Sequence, residues 1–101
     1  MGQESVIENE AVLFAEKLGF VVRKVVYAGR RGAPDRWFFG RGYTFCIEFK
    51  KRGGKPEPLQ VKEIDRLLAS GVPVYVVDNI ERAWEIIRTY ADLPARAMPK
   101  I

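Results

Sequence analysis

The segment RWFFGRGYTFCIEFKK, residues 36–51, leaves the chain few alternatives. Two runs rich in aromatic and β-branched residues flank the tight turn Gly40-Arg41-Gly42, which predicts neighbouring antiparallel strands. Within YTFCIEFKK the side chains alternate between faces, so Phe45, Ile47 and Phe49 share one side and Cys46, Glu48 and Lys50 the other. One side can pack on helices while the other carries charge. Further on, VPVYVVD is continuously apolar, as expected of a strand covered on both faces. It follows a helical stretch over residues 58–70, with Val61, Ile64, Leu67 and Leu68 apolar and Gly71 past its end. A strand reached through a helical crossover pairs in parallel.

The remaining elements fit around this frame. Ile7, Ala11, Phe14 and Leu18 form a stripe at helical spacing, predicting a helix over residues 5–18 stopped by Gly19. FVVRKVVY, residues 20–27, reads as a strand, and AGRRGAPD and RGGKPEP as two flexible basic loops. A last helix follows Asn79, with Ile80, Ala83, Trp84, Ile87 and Tyr90 on its apolar side, and the tail DLPARAMPKI reads as loosely held. The expected fold class is α/β, a single domain of 101 residues with its core at about residues 5–91. Its order is α-β-β-β-α-β-α, with a mixed central sheet of about four strands flanked by helices.

Composition removes several kinds of chemistry. The chain has no histidine and one cysteine, Cys46. Histidine–cysteine zinc sites, Ser-His-Asp triads, Cys-His dyads and intrachain disulfides are therefore excluded within one chain. Catalysis has to rest on carboxylates, lysine, arginine, tyrosine or a metal held by oxygen. A net charge of +4 and a pI near 9.4 favour an anionic partner, nucleic acid first. The N-terminus lacks an apolar signal core and no run approaches membrane-spanning length, so a cytoplasmic protein is expected.

Against that background three charges border the core. Glu48 and Lys50 are neighbours on one strand face. Taken alone, E-x-K on a strand is an incidental ion pair on a polar face. Asp35 changes the weighing, because it follows Pro34 and precedes the strand that pairs with TFCIEF, which can set it beside Glu48. Two adjacent carboxylates raise one another's pKa. A divalent cation relieves that repulsion, and oxygen-only donors suit Mg²⁺ or Mn²⁺. Gln60 lies on the inner stripe of the second helix, where a buried amide needs partners. Glu8 flanks the inner stripe of the first helix, and Glu4, one turn earlier, is its rival.

GAPD…IEFK with a later glutamine after a G-K-P loop resembles the VRR-NUC branch of the PD-(D/E)xK nucleases. The likeness runs from about residue 8 to residue 90 and includes LGFVVRK and GVPVYVVDNIERAWEII. The short motif is weak alone; its order, spacing and surroundings together are fairly specific. The resemblance implies a restriction-endonuclease-like fold and metal-dependent hydrolysis of phosphodiester bonds. It implies that Asp35, Glu48 and the backbone carbonyl of Phe49 bind metal, that Lys50 is the motif lysine, and that Gln60 supports the site. By register relative to Gly19-Phe20, Glu8 looks like the helix glutamate of this family and of the similar archaeal Holliday-junction resolvases. With no appended domain, the chain resembles the stand-alone, phage-type members, which act as homodimers.

The expected function is therefore a Mg²⁺- or Mn²⁺-dependent, structure-specific DNA endonuclease, with the Holliday junction as first substrate. Lys50 would position the attacking water and offset transition-state charge. Arg30, Arg31, Arg36, Lys51, Arg52 and Lys55 on the basic loops would hold the DNA backbone. The rivals are a flap or nicking/restriction-type nuclease, a non-catalytic DNA-binding module on the same fold, and an interaction protein whose charges form a buried ion-pair network.

Overall fold

The computed structural model describes residues 2–99. Seven elements follow in the expected order: α1 (Gln3–Lys17), β1 (Val21–Arg23), β2 (Arg36–Gly40), β3 (Tyr43–Phe49), α2 (Pro58–Ala69), β4 (Val74–Val77) and α3 (Ile80–Asp92). They build an α/β unit around a four-stranded mixed sheet of order β1-β2-β3-β4. The first three strands form an antiparallel meander, and β4 runs parallel to β3 after the α2 crossover.

The alternation in β3 divides the molecule as its sequence implies. Phe45, Ile47 and Phe49 join Phe38, Val22 and Val77 in the core, where α1 and α3 cover the sheet with Ala11, Ala15, Ala83, Ile86 and Ile87. Phe45 stacks between Phe38 at 4.9 Å and Tyr90 at 4.1 Å, which makes the middle of this layer aromatic. The β2–β3 turn places Arg41 and Gly42 at φ 56° and 84°, the paired positive values of a type I′ hairpin.

Several expectations need correction. The first strand is three residues long, not eight, because its partner begins only at Arg36 and Arg23 already lies opposite Trp37. β4 is an edge strand, not one covered on both faces, and its Val76 is 41% exposed. On α2, Val61 and Leu68 face outward, while Glu63 is the buried residue. On α3, Trp84 is 39% exposed, and Ile86 takes a buried place instead.

Nor is the tail loose over its described part. Arg96 N–H donates to the Arg41 carbonyl at 2.8 Å, Tyr43 hydroxyl to the Pro94 carbonyl at 2.7 Å, and the Arg41 guanidinium to the Leu93 carbonyl at 2.6 Å. These bonds hold the tail over the hairpin turn; residues 100 and 101 lie outside the described range. No helix among the described residues is long and apolar enough to cross a membrane.

Candidate active site

Register creates the site. Arg36 lies opposite Ile47, so the next pair outward is Asp35 with Glu48. Pro34 is buried and cannot donate a backbone hydrogen bond. Side chains take over where the β2–β3 ladder stops. Asp35 N–H donates to Glu48 Oε1 at 3.1 Å, and Phe49 N–H donates to Asp35 Oδ2 at 2.8 Å. The Glu48 carboxylate is thus fixed to the Asp35 backbone, and the Asp35 carboxylate to the Phe49 backbone, at the outgoing end of β3, the central strand between β2 and β4.

Lys50 continues that strand, its N–H donating to the Val77 carbonyl at 2.8 Å. Its ammonium lies 3.2 Å from Glu48 Oε2 and donates to Gln60 Oε1 at 2.9 Å. Gln60 completes the ring, its amide nitrogen donating to Glu48 Oε2. It is held by the local logic of a helix start: Glu57 is the N-cap, Pro58 the first helical residue, and Gln60 Oε1 accepts the Glu57 N–H at 2.8 Å. Gln60 therefore turns inward with its polar atoms partnered.

Both carboxylates are uncomfortable as anions. Burial, followed by the neighbouring Asp35 charge, pushes the Glu48 carboxyl up to about 7, against the pull of Lys50. Burial also raises Asp35; the Phe49 N–H opposes this, and the Glu8 charge adds to it. Among the described residues no group of three or more His, Cys, Asp or Glu side chains converges on a point. The donors suited to a cation are the Asp35 and Glu48 carboxylates, with the backbone carbonyl of Phe49, next in sequence to Glu48, as a further oxygen. They are hard oxygen donors whose mutual repulsion a divalent ion would relieve, so the residues present fit Mg²⁺ or Mn²⁺.

The two candidate glutamates of α1 take different places. Glu8 stands near enough to perturb Asp35, but its carboxylate is paired with the Arg36 Nε at 2.5 Å. Glu4 lines a cleft of about 320 Å³ together with Phe49, Lys50, Lys51, Lys55 and Glu57. Arg36 is thus not a free loop cation: it opens β2 and is tied to α1. Lys51, Arg52 and Lys55 are exposed on the β3–α2 loop, which is fastened by Arg52 N–H to Gln3 Oε1 at 3.2 Å and Gly53 N–H to the Asp78 carboxylate at 3.0 Å. Arg31 lines a cavity together with Gly32, Glu57 and Gln60, and Arg30 Nη2 lies 3.7 Å from Glu63 Oε1.

Sequence reasoning missed Asp78, Tyr27 and Glu63. Asp78 carried no local signal beyond ending an apolar run. Glu63 was findable, since it lies three residues beyond Gln60 on the same helical face.

No protein-family model matches the chain. It is 40% identical over 78 residues to "Putative nuclease p44" of Acyrthosiphon pisum secondary endosymbiont phage 1, covering 76% of this chain and 84% of that protein. A solved structure described as a VRR_NUC domain matches it with a TM-score of 0.82 at 34% identity, over 89% of this chain and 99% of the other. Close identity to a phage protein named as a nuclease, a superposition that includes nearly all of a VRR_NUC domain, and the matching order of strands and helices agree: the chain belongs to the VRR-NUC family of the PD-(D/E)xK nuclease superfamily.

Proposed function

We propose that this protein is a metal-dependent, structure-specific DNA endonuclease that hydrolyses phosphodiester bonds, with the Holliday junction as its preferred substrate. Family membership supports nuclease action. The observation that carries the reading is the desolvated Asp35–Glu48 pair, Glu48 bonded to the Asp35 N–H and Asp35 to the Phe49 N–H, with Lys50 3.2 Å from Glu48.

Asp35, Glu48 and the Phe49 carbonyl would hold Mg²⁺ or Mn²⁺, which supplies Lewis acidity toward phosphate and lowers the pKa of water. Lys50 brings a cation to the place where phosphate gains charge as the water oxygen bonds to phosphorus and an ester P–O bond breaks. Gln60 orients Lys50 and Glu48 through the two hydrogen bonds it makes to them. Glu8, from α1, adds to the rise that burial imposes on the Asp35 carboxyl. Lys51, Arg52 and Lys55 on the β3–α2 loop, with Arg30 and Arg31 on the β1–β2 loop, attract the DNA backbone.

Two cuts in opposed strands call for two sites, so the active form is a two-fold symmetric homodimer. The sheet face opposite the core supports this. Val76 on β4 and Leu59, Val61 and Leu68 on α2 expose apolar side chains for a partner subunit to cover.

The test compares labelled four-way junctions, flaps, single strands and linear duplex in Mg²⁺, Mn²⁺, Ca²⁺ and EDTA. Paired cuts in the junction with Mg²⁺ or Mn²⁺, and none in Ca²⁺ or EDTA, are expected. A preference for flaps or nicks overturns the substrate, and no cleavage of any DNA overturns the activity.

A further inference from the structure

Glu63 is the buried acid that the site does not use, 7% exposed on α2. The Tyr27 hydroxyl, from the loop between β1 and β2, donates to its Oε2 at 2.6 Å. Its Oε1 lies 3.7 Å from Arg30 Nη2 and 3.6 Å from Arg66 Nη1. Burial and the Glu63 contact hold the Tyr27 phenol well above its ordinary pKa, so it remains a donor. The loop is seated against the same helix: a Cβ at Gly32 would meet the Leu59 carbonyl oxygen at 2.7 Å.

Two guanidiniums thus converge on one carboxylate oxygen, and together they carry one positive charge more than Glu63 neutralises. Both lie beyond good hydrogen-bonding distance, and their side chains are 56% and 60% exposed, so their donors remain open to a ligand. Their placement fits a nucleic-acid strand. On α2, Gln60 and Glu63, and then Glu63 and Arg66, are successive neighbours at three-residue spacing. From Gln60, which touches Glu48 and Lys50, to Arg66 is about 9 Å along the helix axis. That equals about two to three nucleotides at the rise of one DNA strand.

We propose that Arg30 and Arg66 form a phosphate clamp, oriented by Glu63 and Tyr27, that grips the DNA backbone about two to three nucleotides from the scissile bond. The clamp rests on the endonuclease reading and adds Arg66, Glu63 and Tyr27 to it. Arg66 acts by binding; Glu63 and Tyr27 are positioning residues.

The test measures binding of a labelled four-way junction by fluorescence anisotropy in EDTA over a salt series, and steady-state cleavage in Mg²⁺. Arg30→Ala and Arg66→Ala should each flatten the dependence of log affinity on log salt by about 1, and the double variant by about 2. Their catalytic loss should fall on KM rather than kcat. Arg82→Ala, the same charge change on α3, should keep the wild-type slope. Glu63→Gln separates placement from bulk charge: it makes the protein more positive, so binding governed by net charge tightens, whereas loss of orientation weakens it. Weaker binding is expected, with circular dichroism melts to check folding. Tyr27→Phe, which leaves the charge unchanged, should weaken binding in the same direction. Unchanged salt slopes in both arginine variants, or tighter binding by Glu63→Gln, overturn the clamp while leaving a wild-type enzyme that cuts DNA intact. A wild-type protein that neither binds nor cuts DNA overturns both.

Discussion

Replacing Asp35 by asparagine should make the metal-free protein more stable and the enzyme inactive. Asn Oδ1 can accept the Phe49 N–H that Asp35 Oδ2 now accepts at 2.8 Å, so the fold keeps its contact. What disappears is a negative charge beside Glu48 and Glu8. Glu48 is raised from 4.5 to about 7. At about 1.36 kcal/mol per pKa unit, ionising it inside the fold costs about 3 kcal/mol more than in the unfolded chain. Burial is the larger cause and Asp35 the next, so the variant should recover the smaller part of that cost. The sign follows from linkage. A carboxyl with a raised folded pKa contributes stability that is present below the unfolded value of 4.5 and lost as pH rises through about 7. Wild-type protein in EDTA should therefore lose stability across that interval, and Asp35→Asn should lose less. Thermal melts followed by circular dichroism from pH 4.5 to 8 measure this. At pH 8 the variant should melt higher than wild type, by about 4–8 °C for each 1 kcal/mol recovered in a domain of this size. Mg²⁺ should raise the wild-type Tm at pH 8 and leave the variant unmoved, and the variant's cleavage rate should fall by more than about a hundredfold. A variant that melts below wild type at pH 8 in EDTA would refute the reasoning, because Asp35 would then hold the fold by its charge.

Glu48→Gln should abolish cleavage while DNA binding persists in a gel-shift assay; lost binding would move Glu48 from the chemistry to the interface. Lys50→Ala should fold normally and lose activity, whereas a Tm depressed along with the rate would support a structural ion pair. Gln60→Ala should show an intermediate defect, since it orients Lys50 and Glu48. Gly42→Ala should lower the Tm by an amount equivalent to about 1–3 kcal/mol, because a Cβ at φ 84° would also meet the Arg96 carbonyl oxygen at 2.8 Å; an unchanged Tm would mean that the tail does not rest there. Light scattering at micromolar concentration should give twice the chain mass, and a strict monomer that cuts junctions symmetrically defeats the dimer.

What was legible in the sequence was whatever a local period encodes. Alternation through β3 separated Phe45, Ile47 and Phe49 from Cys46 and Glu48, and the hairpin turn implied the register that brings Asp35 to Glu48. What was not legible depended on partners far along the chain. Glu63 is buried because Tyr27, thirty-six positions earlier, supplies a hydroxyl, while Val61 and Leu68 on the same helix face outward. Arg36 looked like a loop cation until α1 supplied Glu8, twenty-eight positions away. The tail carried no apolar stripe, yet its carbonyls accept from the Arg41 and Tyr43 side chains across more than fifty positions. β1 was overextended because β propensity in residues 24–27 cannot create a neighbouring strand.

The crossed bonding of the two carboxylates also turns two backbone amides into spectroscopic indicators. The Asp35 amide proton points at Glu48, and the Phe49 amide proton points at Asp35. Each nucleus therefore senses the ionisation of a side chain that is not its own. In a ¹H–¹⁵N spectrum the Asp35 cross-peak reports Glu48, and the Phe49 cross-peak reports Asp35. The order in which the two acids lose their protons can be read from two resonances, without a substrate or a turnover.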